Sequence, residues 1–131
     1  MVFVDTSALF SLIDVDDLDH LRMNKIWRSL LLGDHRLVTS NYVLLEASAL
    51  GQRRHGMQAV LHLFREFTPV LSVEWIAEAT HQAALSDWTD ANRTKLSLVD
   101  CTSFQVMREQ GIRRAFTLDR HFREQGFQVI P

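Results

Sequence analysis

Asp5, Glu46, Asp100 and Asp119 stand where a carboxylate can do more than solvate a surface. Asp5 ends the apolar run Val2-Phe3-Val4 and passes at once into Thr6 and Ser7, and Asp119 follows Ala115-Phe116-Thr117-Leu118. Glu46 interrupts an apolar stretch between Leu45 and Ala47, and Asp100 sits between Val99 and Cys101. Singly, each also fits a structural task. Asp5 and Asp119 can cap helices, Asp100 lies at capping-box spacing from Ser97, and Glu46 can be a solvated helix residue. Gathered at one place they demand more. Two unit charges about 4 Å apart repel by roughly 4 kcal/mol at an effective dielectric near 20, so such a cluster needs protons or a cation. Oxygen-only ligands suit Mg²⁺ or Mn²⁺, which keep open positions for phosphate oxygens. The hydroxyls of Thr6, Ser7, Thr102 and Thr117 are suited to orienting the carboxylates or bound waters. A cation held this way strengthens water as a nucleophile and stabilises charge on a phosphoryl oxygen, which points to phosphodiester hydrolysis.

The elements must bring these acids together. Val2–Val4 reads as a buried strand, followed by a brief helix over Ala8–Ile13. The acidic stretch around Asp14, Asp16, Asp17 and Asp19 leads into a helix from about Leu18 to Leu32, closed by Gly33, with Leu18, Leu21, Ile26, Leu30 and Leu31 roughly helically spaced. A strand over Arg36–Thr39 precedes a helix from Tyr42 to Gly56, capped by Ser40 or Asn41. Met57–Phe67 reads as a helix stopping before Pro69, Pro69–Val73 as a strand, Glu74–Leu85 as a helix, and Ser86–Lys95 as a polar loop. Ser97 caps a helix that Gly111 terminates, and two last strands, Arg113–Leu118 and Phe127–Pro131, flank one short helical turn. Alternating strands and helices predict a three-layer α/β/α domain over residues 1–131, with a mainly parallel sheet of about five strands and about six helices. Ligands of such sheets bind beyond the carboxyl ends of the strands, the edge to which all these acids map.

Composition bounds the rest. A net charge of −2 provides no global attraction for nucleic acid, so a polyanion would need a local patch or a bound cation. One cysteine, Cys101, rules out an intrachain disulfide and a cysteine zinc cage, which suits a reducing, cytoplasmic location. No apolar run approaches the length of a membrane span, and Asp5 interrupts any leader-like stretch. The early acidic stretch lacks the spacing and glycine of a calcium loop. The histidines show no ligand pairing, and His121 reads as a surface residue. Trp27 and Trp75 read as core or interface residues, with Trp88 in the polar loop as a stacking candidate. Arg53, Arg54, Arg93, Lys95 and Arg120 are candidate contacts for an RNA backbone.

In the opening "VFVDTSAL", in Glu46 after "TSNYVLLE", in "LSLVDCTSF" and in the ending "AFTLDRHFREQGF", the chain resembles the PIN-domain family and its VapC-type toxin ribonucleases. The resemblance spans essentially the whole chain. It implies a Mg²⁺- or Mn²⁺-dependent endoribonuclease with Asp5, Glu46, Asp100 and Asp119 in the acidic, metal-binding positions. Thr6 or Ser7 takes the polar position after the first Asp, and Thr117 the Thr of the last motif. It further implies an RNA substrate, a homodimer and a small antitoxin partner. A haloacid-dehalogenase-type phosphatase would need a second Asp where Ser7 stands, and a response-regulator receiver a late lysine that is missing. The remaining alternative is a non-catalytic RNA- or protein-binding module whose acids are structural caps.

Overall fold

A computed structural model describes residues 1–131 as five strands and seven α-helices. In chain order these are β1 (Val2–Val4), α1 (Thr6–Ile13), α2 (His20–Leu32), β2 (Leu37–Ser40), α3 (Asn41–His55) and α4 (Met57–His62). A π-helical turn, Leu63–Phe67, and a 3₁₀ turn, Thr68–Val70, lead into β3 (Ser72–Glu74). The chain finishes with α5 (Glu78–Ala91), α6 (Leu98–Gln110), β4 (Arg114–Phe116), α7 (His121–Glu124) and β5 (Gln128–Ile130). The sheet order is β3-β2-β1-β4-β5, and every pairing is parallel, with Val2 opposite Leu37 and Val4 opposite Phe116.

This order explains the layering. The chain builds outward from β1 to β3, then returns to lay β4 and β5 on the other side of β1. Right-handed crossovers put the helices of the two halves on opposite faces of the sheet. Side-chain alternation fits. Phe3 stacks on Phe122 of α7 at 6.4 Å, whereas Phe116 stacks on Trp27 of α2 at 6.3 Å. The central strands β1 and β2 are buried along their whole length, as a sheet covered on both faces requires. Gly51 lets α3 lie close against α1, since a Cβ there would stand 3.2 Å from Ile13 Cδ1.

Several expected boundaries move. The third strand starts at Ser72, and Glu74 ends it instead of opening a helix. Helix α5 runs on to Ala91, through most of the stretch expected to be a polar loop. Polar composition misleads here because α5 is largely exposed. Trp88 lies half-buried on it, its indole N–H donating to the Leu96 carbonyl at 2.7 Å. Helix α2 begins at His20 and buries Met23, Trp27 and Leu30 at i, i+4 and i+7, which leaves Leu18 and Leu21 outside the core stripe. Trp75, read as core or interface, is 75% exposed and so outside the core.

Candidate active site

Strand order reverses direction at β1, so the crevice of this sheet opens between the carboxyl ends of β1 and β4. Asp5 and Thr117 are the residues just beyond those ends. The Asp5 backbone N–H still bonds the Phe116 carbonyl at 3.1 Å, which ties the two strand exits together. Glu46 reaches the same edge from the second turn of α3, and Asp100 from the first turn of α6. Buried Ser40 starts α3, its Oγ accepting the Val43 N–H at 3.2 Å, and buried Thr39 donates to the Val4 carbonyl at 2.8 Å. The β2 exit is thereby fixed beside the β1 exit.

Asp5 is only 3% exposed. Its Oδ2 accepts the Ser7 hydroxyl at 2.8 Å, the Thr117 hydroxyl at 2.9 Å and the Ser7 N–H at 3.3 Å. The other oxygen, Oδ1, takes part in none of these bonds, and the Thr6 N–H close to the carboxylate favours its ionised form. The Ser7 and Thr117 hydroxyls have one proton each and both protons go to Asp5, so their own 3.1 Å separation is a contact and not a third bond while Asp5 is ionised. As acceptors they tie down the following loop: Ser7 Oγ takes the Leu118 N–H and Thr117 Oγ1 the Asp119 N–H, each at 2.9 Å.

The same division recurs at the other acids. Asp100 Oδ2 closes a capping box with Ser97, accepting its N–H at 2.9 Å while Ser97 Oγ accepts the Asp100 N–H at 3.0 Å. Asp100 Oδ1 takes no part. Asp119 Oδ1 accepts the His121 N–H at 2.9 Å and lies 2.7 Å from His121 Nδ1, while its Oδ2 has no donor. Glu46 accepts no hydrogen bond, although it is half-buried. The Thr6 hydroxyl is buried without a bond of ordinary length, and acts on Glu46 as a nearby dipole that favours the ionised form. Capping therefore accounts for one oxygen of Asp5 and one of Asp100. It does not account for Glu46 at all.

The carboxylates feel one another. Burial lifts Asp5 from 3.8 to about 6, opposed by the Ser7 and Thr117 hydroxyls and reinforced by the charge of Asp100. Glu46 is raised first by burial and then by Asp100 and Asp119, and Asp100 first by burial and then by Asp119. These influences link all four acids across β1, α3, α6 and the β4–α7 loop. The donor set fits a hard divalent cation: oxygen-rich, mutually repelling, and with one oxygen of each acid left over by the hydrogen bonds that fix it.

His121 corrects the expectation of a surface residue, being 8% exposed. One of its ring nitrogens and carboxylate oxygens of Asp100 and Asp119 all lie within 4.8 Å of one another, and the Nδ1 contact to Asp119 is short but poorly aligned for a hydrogen bond. Its backbone N–H, bonded to Asp119, folds the ring inward. The Asp-x-His spacing at the start of a helix was the available signal. Thr102 is buried and donates to the Leu98 carbonyl at 2.7 Å, a bond internal to α6.

The candidate RNA contacts scatter. Arg53 and Arg54 close α3, roughly 12 Å along its axis from Glu46, and Arg54 covers the Phe10 ring at 5.3 Å. Arg93 pairs with Glu124 at 3.2 Å, Lys95 is exposed, and Arg120 lies beside Asp119.

Comparison with known proteins fits this geometry. The PIN domain family pattern matches residues 2–128. The 23S rRNA-specific endonuclease VapC20 of Mycobacterium tuberculosis is 33% identical over 131 residues, covering 99% of this chain and 98% of that protein. The crystal structure of VapC20, described as a Sarcin-Ricin loop cleaving toxin, superposes with a TM-score of 0.87 at 31% identity, over 97% of this chain and 96% of that one. FitAcB from Neisseria gonorrhoeae shares the fold alone, with a TM-score of 0.71 at 14% identity over 100% of this chain and 97% of that one.

Proposed function

The chain belongs to the PIN-domain family, and from that premise we propose that it is a divalent-metal-dependent endoribonuclease, the toxin of a toxin–antitoxin pair. One observation carries the reading. Four carboxylates from separate elements meet at the sheet's switch point, where neighbouring charge adds to burial in raising Asp5, Glu46 and Asp100, and each of the four keeps an oxygen outside the hydrogen bonds that fix it.

In this proposal Asp5, Glu46, Asp100 and Asp119 hold Mg²⁺ or Mn²⁺ through those oxygens. The bound cation supplies positive charge that stabilises the phosphate's developing charge and makes water a stronger nucleophile. Ser7 and Thr117 hold Asp5 in place and keep it ionised. Ser97 fixes Asp100, and the His121 backbone N–H fixes Asp119. The water oxygen bonds to phosphorus as the bond to the leaving nucleotide's oxygen breaks, a carboxylate of the cluster takes the water's proton, and solvent water protonates the leaving oxygen. The ribosomal RNA named for the similar VapC20 supports ribosomal RNA as the substrate class. A small antitoxin partner, a homodimer and a cytoplasmic location belong to the same reading, and no helix is long and apolar enough to cross a membrane.

The test is cleavage of total RNA, with the product ends sequenced. Cutting is expected with Mn²⁺ or Mg²⁺, absent with EDTA, and lost in Asp5→Asn and Asp119→Asn variants that melt like the parent. A variant cutting at the parental rate would overturn its assigned role. Failure of the parent to cut any RNA in the presence of metal would overturn the activity, leaving a non-catalytic module.

A further inference from the structure

Beside the acid cluster lies a second feature of opposite sign. A concavity of about 210 Å³ opens at the carboxyl ends of β4 and β5, and its walls include Thr117 and Asp119 of the candidate active site together with Arg22, Arg120 and Arg123. The three arginines come from different elements: Arg22 from the first turn of α2, Arg120 from just ahead of α7, and Arg123 from within it.

Their charges are not consumed locally. Arg123 makes no ion pair. Arg22 meets Asp19 at 2.7 Å in an exposed pair three residues apart, a weak arrangement in water. Arg120 is 79% exposed and reaches only to 3.9 Å from Glu124, a carboxylate that Arg93 already engages at 3.2 Å. Asp119 is the one acidic side chain lining the concavity, and its Oδ1 is occupied by His121.

We propose that this concavity seats a phosphate of the RNA strand adjacent to the phosphodiester bond being cut, gripped by Arg22, Arg120 and Arg123. The inference rests on the ribonuclease reading and extends it by giving the strand a direction of travel across the sheet edge, from the acids toward β5. A planar guanidinium matches phosphate oxygens with paired donors, and three of them around one hollow favour a polyanion over a neutral ligand. Such a site also answers a problem of the whole chain. With a net charge of −2 and a cluster of acids at its centre, the protein needs a local cationic patch, beside any bound cation, to attract RNA. A patch sharing a wall with the acids holds the substrate where the chemistry is.

The experiment measures binding of a labelled single-stranded RNA in EDTA, where no cutting occurs, from low to moderate salt. It uses the parent, Arg22→Ala, Arg123→Ala, the double variant and Arg123→Glu, with the remote Arg65→Ala as control and melting curves to verify folding. We expect at least tenfold weaker binding in the double variant and a still larger loss in Arg123→Glu. The slope of log affinity against log salt should fall by about 0.7 per phosphate contact removed. With Mn²⁺, KM should rise more than kcat falls. A double variant that keeps parental affinity and salt slope would overturn the proposal, and so would a parent with no measurable affinity at low salt. The two readings fail separately. A parent that cuts RNA while the arginine variants behave like it loses only this pocket. A parent that cuts nothing, yet loses RNA on arginine removal, loses only the nuclease assignment.

Discussion

Thr117 concentrates two tasks in one hydroxyl: it donates to Asp5 Oδ2 and accepts the Asp119 N–H, both at 2.9 Å. Thr117→Val keeps the shape and removes both bonds. Leaving a buried acceptor and donor short of a partner costs on the order of 1–3 kcal/mol of stability. The Thr117 hydroxyl lowers the Asp5 pKa, so its loss pushes that pKa further above about 6. The acid limb of the pH–rate profile should therefore move to higher pH, and an unmoved limb would break the link. At this scale the acids were readable because each breaks an apolar run. His121 was not. A histidine in a polar-looking stretch is ordinary, and only the turn closed on Asp119 carries its ring inside.

Helix α6 shows how an element can serve stability and site together. Ser97 and Asp100 satisfy one another's backbone N–H groups, which starts the helix and sets the Asp100 carboxylate in one stroke. Ser97→Ala should cost about 1 kcal/mol of stability and also weaken the thermal shift produced by Mn²⁺, whereas Ser97→Thr should keep both. An alanine variant that melts lower but responds fully to Mn²⁺ would make the box a helix device only. The sequence carried this element well, since Ser97 and Gly111 mark its ends and Gly111 adopts a left-handed φ of 66°. It carried α5 poorly. No side chain caps its start at Ala77, its end is a left-handed Asn92, and its polar exposed surface hides the periodicity. The exposed Leu18 and Leu21 likewise imitate a core stripe that really runs through Met23, Trp27 and Leu30.

For the molecule as a whole, the acid cluster works against folding unless something neutralises it. The Asp5 pKa of about 6 lies above its ordinary 3.8, so the folded state binds this proton more tightly than the unfolded chain. The resulting stability is complete below pH ~4 and is lost as pH rises toward 6, an upper bound of about 3 kcal/mol at 1.36 kcal/mol per unit. Glu46 and Asp100 shift the same way. The metal-free protein should therefore lose melting temperature between pH 4 and 7 relative to Asp5→Asn, and Mn²⁺ at pH 7 should restore it by mass action, with about 2.7 kcal/mol at a hundredfold excess over Kd. The reverse pH trend, or no response to millimolar Mn²⁺, would remove the basis for a shared ion. The strand order β3-β2-β1-β4-β5 has one more consequence. Asp5 and Glu46 lie before the link at Trp75–Ala77, and Asp100 and Asp119 after it. A gene divided there would encode two harmless peptides, each with half the acids, whose reunion by fused dimerising tags would switch on RNA cutting inside a cell.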